Sequence, residues 1–511
     1  MKKNKFIYNS ILLIFVNFII RFISFSYDTL LYKKIGAESI GLYHMVMPLL
    51  MICLMFTTAG VPTSVSKLVA EYNSSNNYPM VRRVLRVALF FVLLFSVLLS
   101  IILILLAKFI SLNILKNKDS LYCLYLLTPA IIIISITSTI RSYYYGLNMV
   151  TIASASEIIE HVTRFIFVLG FLYLTTSDID PLYGATIGIL GITLGEAFDL
   201  LWLFFLPKPC YNKKSYNIHR VIPISSTLIK IISMACPLTI SGLFNVILQF
   251  INTILIPQRL IASGYSNNEA LAAFGRIMGM AIPLIYLPYI VTSALVLNII
   301  PNLSAEMALK NYKNVRSNIT LAIKATLLIS IPTTCIYLIF PQPLSLFIYD
   351  DPLASKFIQL MGYSTIFLSL QHILSGILNG LNKQTSATIH RIIGMFIQLA
   401  ITYILVGNSS FHINGYFIAF FISASIICLL DIALLSEKIK FNIVYSDLLF
   451  KPLLATIAML FSIYIVQKSL ISLHMSYITI WIISLVLSIV SYISTIGLLK
   501  YLDEDIFPMK K

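Results

Sequence analysis

Stretches of about twenty apolar residues, parted by short polar turns, run from one end of this chain to the other. A helix rises 1.5 Å per residue, so about twenty residues cross a bilayer core of roughly 30 Å. Such runs occur near 6–30, 41–63, 84–107, 121–145, 155–176, 183–206, 229–256, 271–299, 318–340, 355–379, 387–406, 412–435, 448–467 and 476–499, about fourteen in all. Of the 511 residues, 59% are hydrophobic and 11% charged. A soluble domain has about 45–50% and about 25% respectively, so the chain reads as an all-α polytopic membrane protein. The formal charge of +16 does not point to nucleic acid, because the basic residues are scattered through short loops, where they set topology.

The first run, Phe6–Leu30, follows Lys2, Lys3 and Lys5 as a signal peptide would. It is too long, carries Arg21 and lacks a small-x-small cleavage site, so it reads as the first membrane helix. With both termini placed in the cytoplasm, inner loops and helix ends hold 24 of the 36 Lys and Arg residues, outer loops hold 8, and 4 lie within spans. That bias supports a multi-pass protein of the cell membrane with cytoplasmic ends. Cys53, Cys123, Cys210, Cys236, Cys335 and Cys428 have no paired spacing, so neither disulfides nor a metal site is expected.

The chain also repeats. At an offset of 234, Asn77, Tyr78, Val81 and Arg82 match Asn311, Tyr312, Val315 and Arg316. Gly146-Leu147-Asn148, Thr151 and Ala153 match Gly380-Leu381-Asn382, Thr385 and Ala387 at the same offset. A unit of six spans, an even number, gives both copies the same orientation and predicts two lobes related by an axis along the membrane normal. The expected organisation is a six-helix lobe over 1–206, a basic cytoplasmic linker over 207–228, a second six-helix lobe over 229–435, and helices 13 and 14 with a tail over 436–511.

Charges inside the spans are the candidate site. Arg21 cannot shed its proton, and at mid-membrane it costs about 2.5–3.5 kcal/mol or more unless it faces water, an anion or an acid. It therefore lines a cavity for something negative, or pairs with Asp28 on its own helix. Helix 5 carries Glu157, Glu160, His161 and Arg164, whose spacing gives a polar stripe that must face the bundle interior. The stripe reads as a cavity wall with Arg164 as an anion contact, or as a self-neutralising ladder. Arg276 is a further cavity candidate, as is His44 on helix 2. Glu157, Glu160, His161, Glu196 and Asp199 are candidates for ion or proton coupling; capping and pairing with basic loops is the alternative for the last two. Prolines within or bordering the spans, among them Pro48, Pro129, Pro237 and Pro332, suit a bundle that bends. The sequence has no nucleophile–base arrangement, metal-ligand cluster or phosphate loop, so neither an enzyme nor a cofactor is expected.

Ile35-Gly36-Ala37-Glu38, Gly41-Leu42-Tyr43, Gly60-Val61-Pro62 and Ser66-Lys67-Leu68-Val69-Ala70-Glu71 resemble the stage V sporulation protein B family. So do Ile256-Pro257-Gln258-Arg259-Leu260, the run Gly279–Leu284, and Ile300-Pro301. The resemblance covers essentially the whole chain. It implies a polysaccharide-biosynthesis-type transporter of spore-forming bacteria, within the larger group of multidrug, oligosaccharidyl-lipid and polysaccharide exporters. Relatives in that group flip polyprenyl-pyrophosphate-linked sugars, including lipid II, through a cationic cavity, and their last two helices form a groove for the lipid tail. The implied partners are a lipid-linked glycan and membrane lipids, with cell-wall synthesis enzymes as further partners of a monomeric protein. Lipid II flippases carry several arginines in their first two helices; this chain has Arg21 alone there. Rival readings are a cation-coupled drug exporter, a glycan polymerase and a non-transporting scaffold. The polymerase would need a large outer loop, and no loop here is long enough.

Overall fold

The computed structural model describes residues 2–174, 180–206, 223–438, 450–471 and 477–498. The expected basic linker lies outside the described residues up to 222, and so does the expected tail beyond 498. Every long element among the described residues is helical. The chain divides into two compact units, 1–261 with 265–275, and 262–264 with 276–511.

The first unit holds α1 (Lys2–Thr58), α2 (Val61–Ser74), α3 (Tyr78–Phe109), α4 (Ser120–Gly146), α5 (Val150–Leu174), α6 (Pro181–Phe205), α7 (Ile224–Ala262) and α8 (Asn267–Gly275). At 57 residues α1 is far too long for one crossing, and it breaks at Gly36, where φ is 75°. The first two predicted spans therefore share one bent element. Around the break the backbones close up: a Cβ on Gly41 would strike the Leu271 carbonyl, and one on Gly275 the Ala37 carbonyl. Small residues permit such close approach where lipid supplies no hydrophobic drive between helices. The outward face of α3, with Phe90, Leu94, Leu98, Ile101 and Leu105, is exposed and apolar, as a lipid-facing surface must be.

The second unit opens on a π-helical turn, Arg276–Ala281, followed by α9 (Ile282–Ile285), α10 (Tyr289–Ala308), α11 (Tyr312–Ile339), α12 (Pro341–Tyr349), α13 (Ala354–Gly362) and α14 (Thr365–Gly380). It continues with α15 (Gln384–Val406), α16 (Asn414–Lys438), α17 (Lys451–Ile471) and α18 (Tyr477–Leu498). The last two helices pack on α11: Ala455, Met459, Tyr492 and Ile496 meet Leu328 and Ile336, and the Tyr492 hydroxyl donates to the Leu328 carbonyl at 2.7 Å.

Among the described residues eleven helices are long and apolar enough to cross a membrane, or twelve if α13 and α14, bent by 52°, form one span. The fourteen expected from the sequence exceeds this by two. The broken α1 counts once, and α5, long enough at 25 residues, is too charged to count by composition.

The repeat is written into the backbone of both units. Left-handed residues recur 234 positions apart: Asn76 with Lys310 (φ 56° and 55°), Lys116 with Asp350 (54° and 58°), Asn148 with Asn382 (62° and 59°). Each terminates a helix, where a positive φ lets the chain turn away. Asn77 and Asn311 cap α3 and α11 alike, accepting from the backbone N–H of Met80 at 3.3 Å and of Asn314 at 3.4 Å.

Candidate functional site

In the first unit, α4, α5 and α6 converge on a network centred on Arg141. Its Nη2 donates to Glu160 Oε2 at 2.7 Å and to Glu196 Oε2 at 3.3 Å, and it also holds Asp199. Its Nε donates to Asp199 Oδ2 at 3.0 Å and to Ser156 Oγ at 3.1 Å. Thr137 donates to Glu196 Oε2 at 2.6 Å, and Ser156 donates to Asp199. The other oxygen of Glu160 accepts from Arg164 Nη2 at 2.6 Å. Glu160, Glu196 and Asp199 are buried, Asp199 completely. Such charges persist in an apolar interior only when each has partners of good geometry, and here every carboxylate has one.

The close approach of α5 and α6 that makes this possible comes from glycine. A Cβ on Gly195 would lie 2.9 Å from the Glu160 carbonyl and 3.1 Å from Arg164 Cβ. One on Gly191 would come within 3.2 Å of the Tyr27 hydroxyl and 3.5 Å of Arg164 Cγ. The two glycines, four residues apart, clear a track along α6 in which Arg164 lies.

Arg164 is also the link between the network and a cavity of about 310 Å³. The cavity is walled by Ser24, Tyr27, Asp28, Tyr32, Tyr43, His44, His161 and Arg164, with Ile23, Met47 and Met51. Its polar groups are partly tied. Ser24 Oγ lies 3.2 Å from His161 Nδ1, and the Tyr32 hydroxyl 2.9 Å from His44 Nε2. Two donors are not: the Tyr27 hydroxyl and Arg164 Nε are buried and meet no acceptor among the described residues. Buried donors without a partner are costly, and a water or ligand oxygen that accepted from both would offset that cost.

The sequence candidates fall into distinct places. The α5 stripe divides, because neighbouring helical residues point about 100° apart. Glu160 turns to the network, His161 to the cavity, and Arg164 to both, while Glu157 accepts from the Tyr145 hydroxyl at 2.9 Å. The Glu160–Arg164 rung of the predicted ladder therefore exists, but it is one edge of a larger assembly. His44 lines the cavity. Glu196 and Asp199 belong to the network and lie outside the cavity wall. Arg21 is exposed on α1, three residues from Ser24 and seven from Asp28, on the cavity's side of the helix but not in its wall. Among the described residues no ion pair joins Arg21 to Asp28. Arg276 belongs to the second unit, where its Nε donates to Asp351 Oδ2 at 2.7 Å.

Sequence reasoning passed over Arg141. A cation one turn from the end of a span reads as a residue reaching for the headgroups, and its three acids come from two other helices. Asp28 and Tyr27, about two turns beyond Arg21, are likewise visible as cavity residues only in three dimensions.

The second unit has an apolar slot of about 640 Å³ among the end of α11, α12, α17 and α18, with Phe340, Leu344, Phe347, Trp481 and Leu485 in its wall. Polar groups are sparse in it, Asp350 being the charged residue at its edge.

Comparison with known proteins bears on all of this. The family model for polysaccharide biosynthesis proteins matches residues 6–304, more than half of the chain. The chain belongs to the polysaccharide biosynthesis protein family. A second model, MatE, matches residues 237–404. Stage V sporulation protein B of Bacillus subtilis is 25% identical over 448 residues, covering 87% of this chain and 86% of that protein. Lipid II flippase MurJ of the same organism is 23% identical over 370 residues, 67% of each chain. Among solved structures, a lipid II flippase MurJ in an inward closed conformation matches with TM-score 0.68 at 15% identity, over 96% of this chain and 99% of that one. A multidrug resistance MATE family transporter of the MOP superfamily, inward-facing, matches with TM-score 0.60 at 14% identity, over 82% and 94%.

This member of the polysaccharide biosynthesis family is thus a multi-pass membrane protein, similar in sequence to a lipid II flippase and in fold to transporters of the MOP superfamily. The resemblance read from Gly36, Gly41, Gly60 and their neighbours is borne out. In this family member the arginine–acid network and its cavity occupy the segment that the family model covers.

Proposed function

We propose that the protein is a flippase that carries a polyprenyl-pyrophosphate-linked glycan, a peptidoglycan precursor such as lipid II, from the cytoplasmic to the outer leaflet for spore cortex synthesis. The observation that carries this reading is the pair of unsatisfied donors, Arg164 Nε and the Tyr27 hydroxyl, in one cavity with Ser24, His44 and His161. Diphosphate oxygens are acceptors of the kind those donors lack, and charge-assisted bonds to a guanidinium are the strong ones. Arg21, exposed one turn away on the same side of α1, is the first cation an entering head meets. The apolar slot against α17 and α18 suits the polyprenyl tail. Arg276, committed to Asp351, contributes only if that pair opens.

The mechanism is alternating access with both termini cytoplasmic. The head binds from inside, the tail stays in lipid, and the head leaves outside. Each negative charge moved to the positive side gains about 2.3 kcal/mol per 100 mV, so a potential drives export without a second ion. Similarity to stage V sporulation protein B supports the sporulation setting, with cell-wall synthesis enzymes as neighbours of a monomeric transporter.

One observation favours a second reading, a cation-coupled exporter of the same superfamily: Asp28 puts a carboxylate in the cavity wall. Glu196 and Asp199 are less suited to that role, being held by Arg141, Thr137 and Ser156. The deciding experiment reconstitutes the protein in vesicles with lipid II or one other polyprenyl-linked glycan, with and without an inside-negative potential. The flippase reading requires flipping that quickens with the potential and survives Asp28→Asn. Absence of flipping of either lipid, together with transport of a hydrophobic cation that fails in Asp28→Asn, establishes the exporter instead.

A further inference from the structure

A second cavity in the first unit, about 520 Å³, has a composition unlike the first. Its wall is Arg83, Arg86, Val87, Phe90, Phe91 and Leu94 of α3, with Ile224 and Leu228 of α7. The α3 residues follow helical spacing, so they form one stripe: two arginines at the start of the helix, then apolar side chains. From Arg86 to Leu94 the stripe runs about 12 Å along the helix axis. Ile224 and Leu228, four apart, form the facing edge at the start of α7. Arg86 is exposed, Arg83 half-buried, and Phe90 is 68% exposed. Among the described residues its wall holds no acidic side chain.

That gradient selects its occupant. A free phosphate or an acidic peptide would engage the arginines but leave the apolar wall facing it unused. A neutral lipid would use the wall but not the arginines. An amphiphile with an anionic head and a hydrocarbon chain uses both, and a bilayer presents it at this depth, where α3 and α7 begin. We propose that this slot is a binding site for an anionic phospholipid of the leaflet at which α3 starts, with its phosphate at Arg83 and Arg86 and one acyl chain along Phe90, Phe91 and Leu94. Seated there, the lipid bridges α3 to α7. The site is separate from the cavity at Arg164 and does not depend on what that cavity carries.

The test is native mass spectrometry of the full-length protein in neutral detergent, titrated with phosphatidylglycerol or with phosphatidylcholine of the same chains. The expected result is one tightly held phosphatidylglycerol. Replacing an arginine by glutamine weakens it about fivefold each, so R83Q/R86Q loses about twenty-fivefold in affinity. R82Q, one residue outside the wall, leaves binding unchanged, and R83K/R86K retains most of it. F90N weakens phosphatidylglycerol but not a short-chain analogue, which keeps the chain contact testable should the glutamine variant fail to fold. Equal binding of the two lipids, or equal loss in R82Q, overturns the proposal. So does displacement of phosphatidylglycerol by undecaprenyl phosphate at equal concentration, which would make the slot a substrate site.

Discussion

At the position where the first unit has Glu160, the second, 234 residues on, has Gly394. Glu160 joins two arginines, whereas a Cβ at Gly394 would run into the Ile427 side chain, and the Gly394 carbonyl accepts from Ser423 at 2.7 Å. The same offset takes Arg164 to Gln398, His161 to Met395 and Arg141 to Ser375. One helical repeat has been kept as scaffold in both units, down to the left-handed residues that end its helices, while among the described residues the arginine-centred network belongs to the first. In the second unit the acid at the comparable end of α16, Asp431, pairs among the described residues with His390, at 2.7 Å. The lesson is that the repeated scaffold is carried by its caps and helix ends, whereas the arginine–acid network is an addition to the first unit that its packing then depends on.

The comparison can be broken by mutation, and Arg141 gives the largest expected effect. R141M leaves three buried carboxylates short of their shared partner and should cost about 3–5 kcal/mol, read as a large fall in the detergent melting temperature or loss of folded protein. An unchanged melting temperature would remove the network from the first unit's stability. G195A should cost about 1–3 kcal/mol, because the Glu160 carbonyl and Arg164 Cβ must give way, and transport should fall further than stability because Arg164 moves. If the two fall in proportion, Gly195 does not position the arginine. H390A strips buried Asp431 of its hydrogen bond, at about 1–3 kcal/mol, with transport per folded molecule unchanged. The smallest effect belongs to D351N, which weakens a partly exposed ion pair worth about 1 kcal/mol or less. A larger transport defect there would move Arg276 into the mechanism.

How much was legible in the sequence follows from what a one-dimensional pattern contains. The apolar spans and the offset of 234 that pairs Asn77 with Asn311 are patterns along the chain, and the offset reappears in three dimensions as matching caps and left-handed residues. Arg164 was legible because its partner Glu160 lies one turn away on the same helix. Arg141 was not, since Glu160, Glu196 and Asp199 come to it from α5 and α6, and nothing in its own neighbourhood records them. Arg21 shows the converse limit. Its depth in the span can be read from the chain, but its direction around the helix relative to the cavity cannot, and it lies just outside the wall that Ser24 and Asp28 form.

The most direct measurement compares R164A with R391A in reconstituted flipping of a polyprenyl-pyrophosphate glycan. R164A leaves Glu160 bound to Arg141, so the fold has little reason to fail, and R391A removes an exposed cation from the helix equivalent to α5 in the second unit. The account predicts a loss of about tenfold or more in R164A, the worth of a charge-assisted bond to the head, and about wild-type flipping in R391A. Wild-type flipping by folded R164A would contradict it.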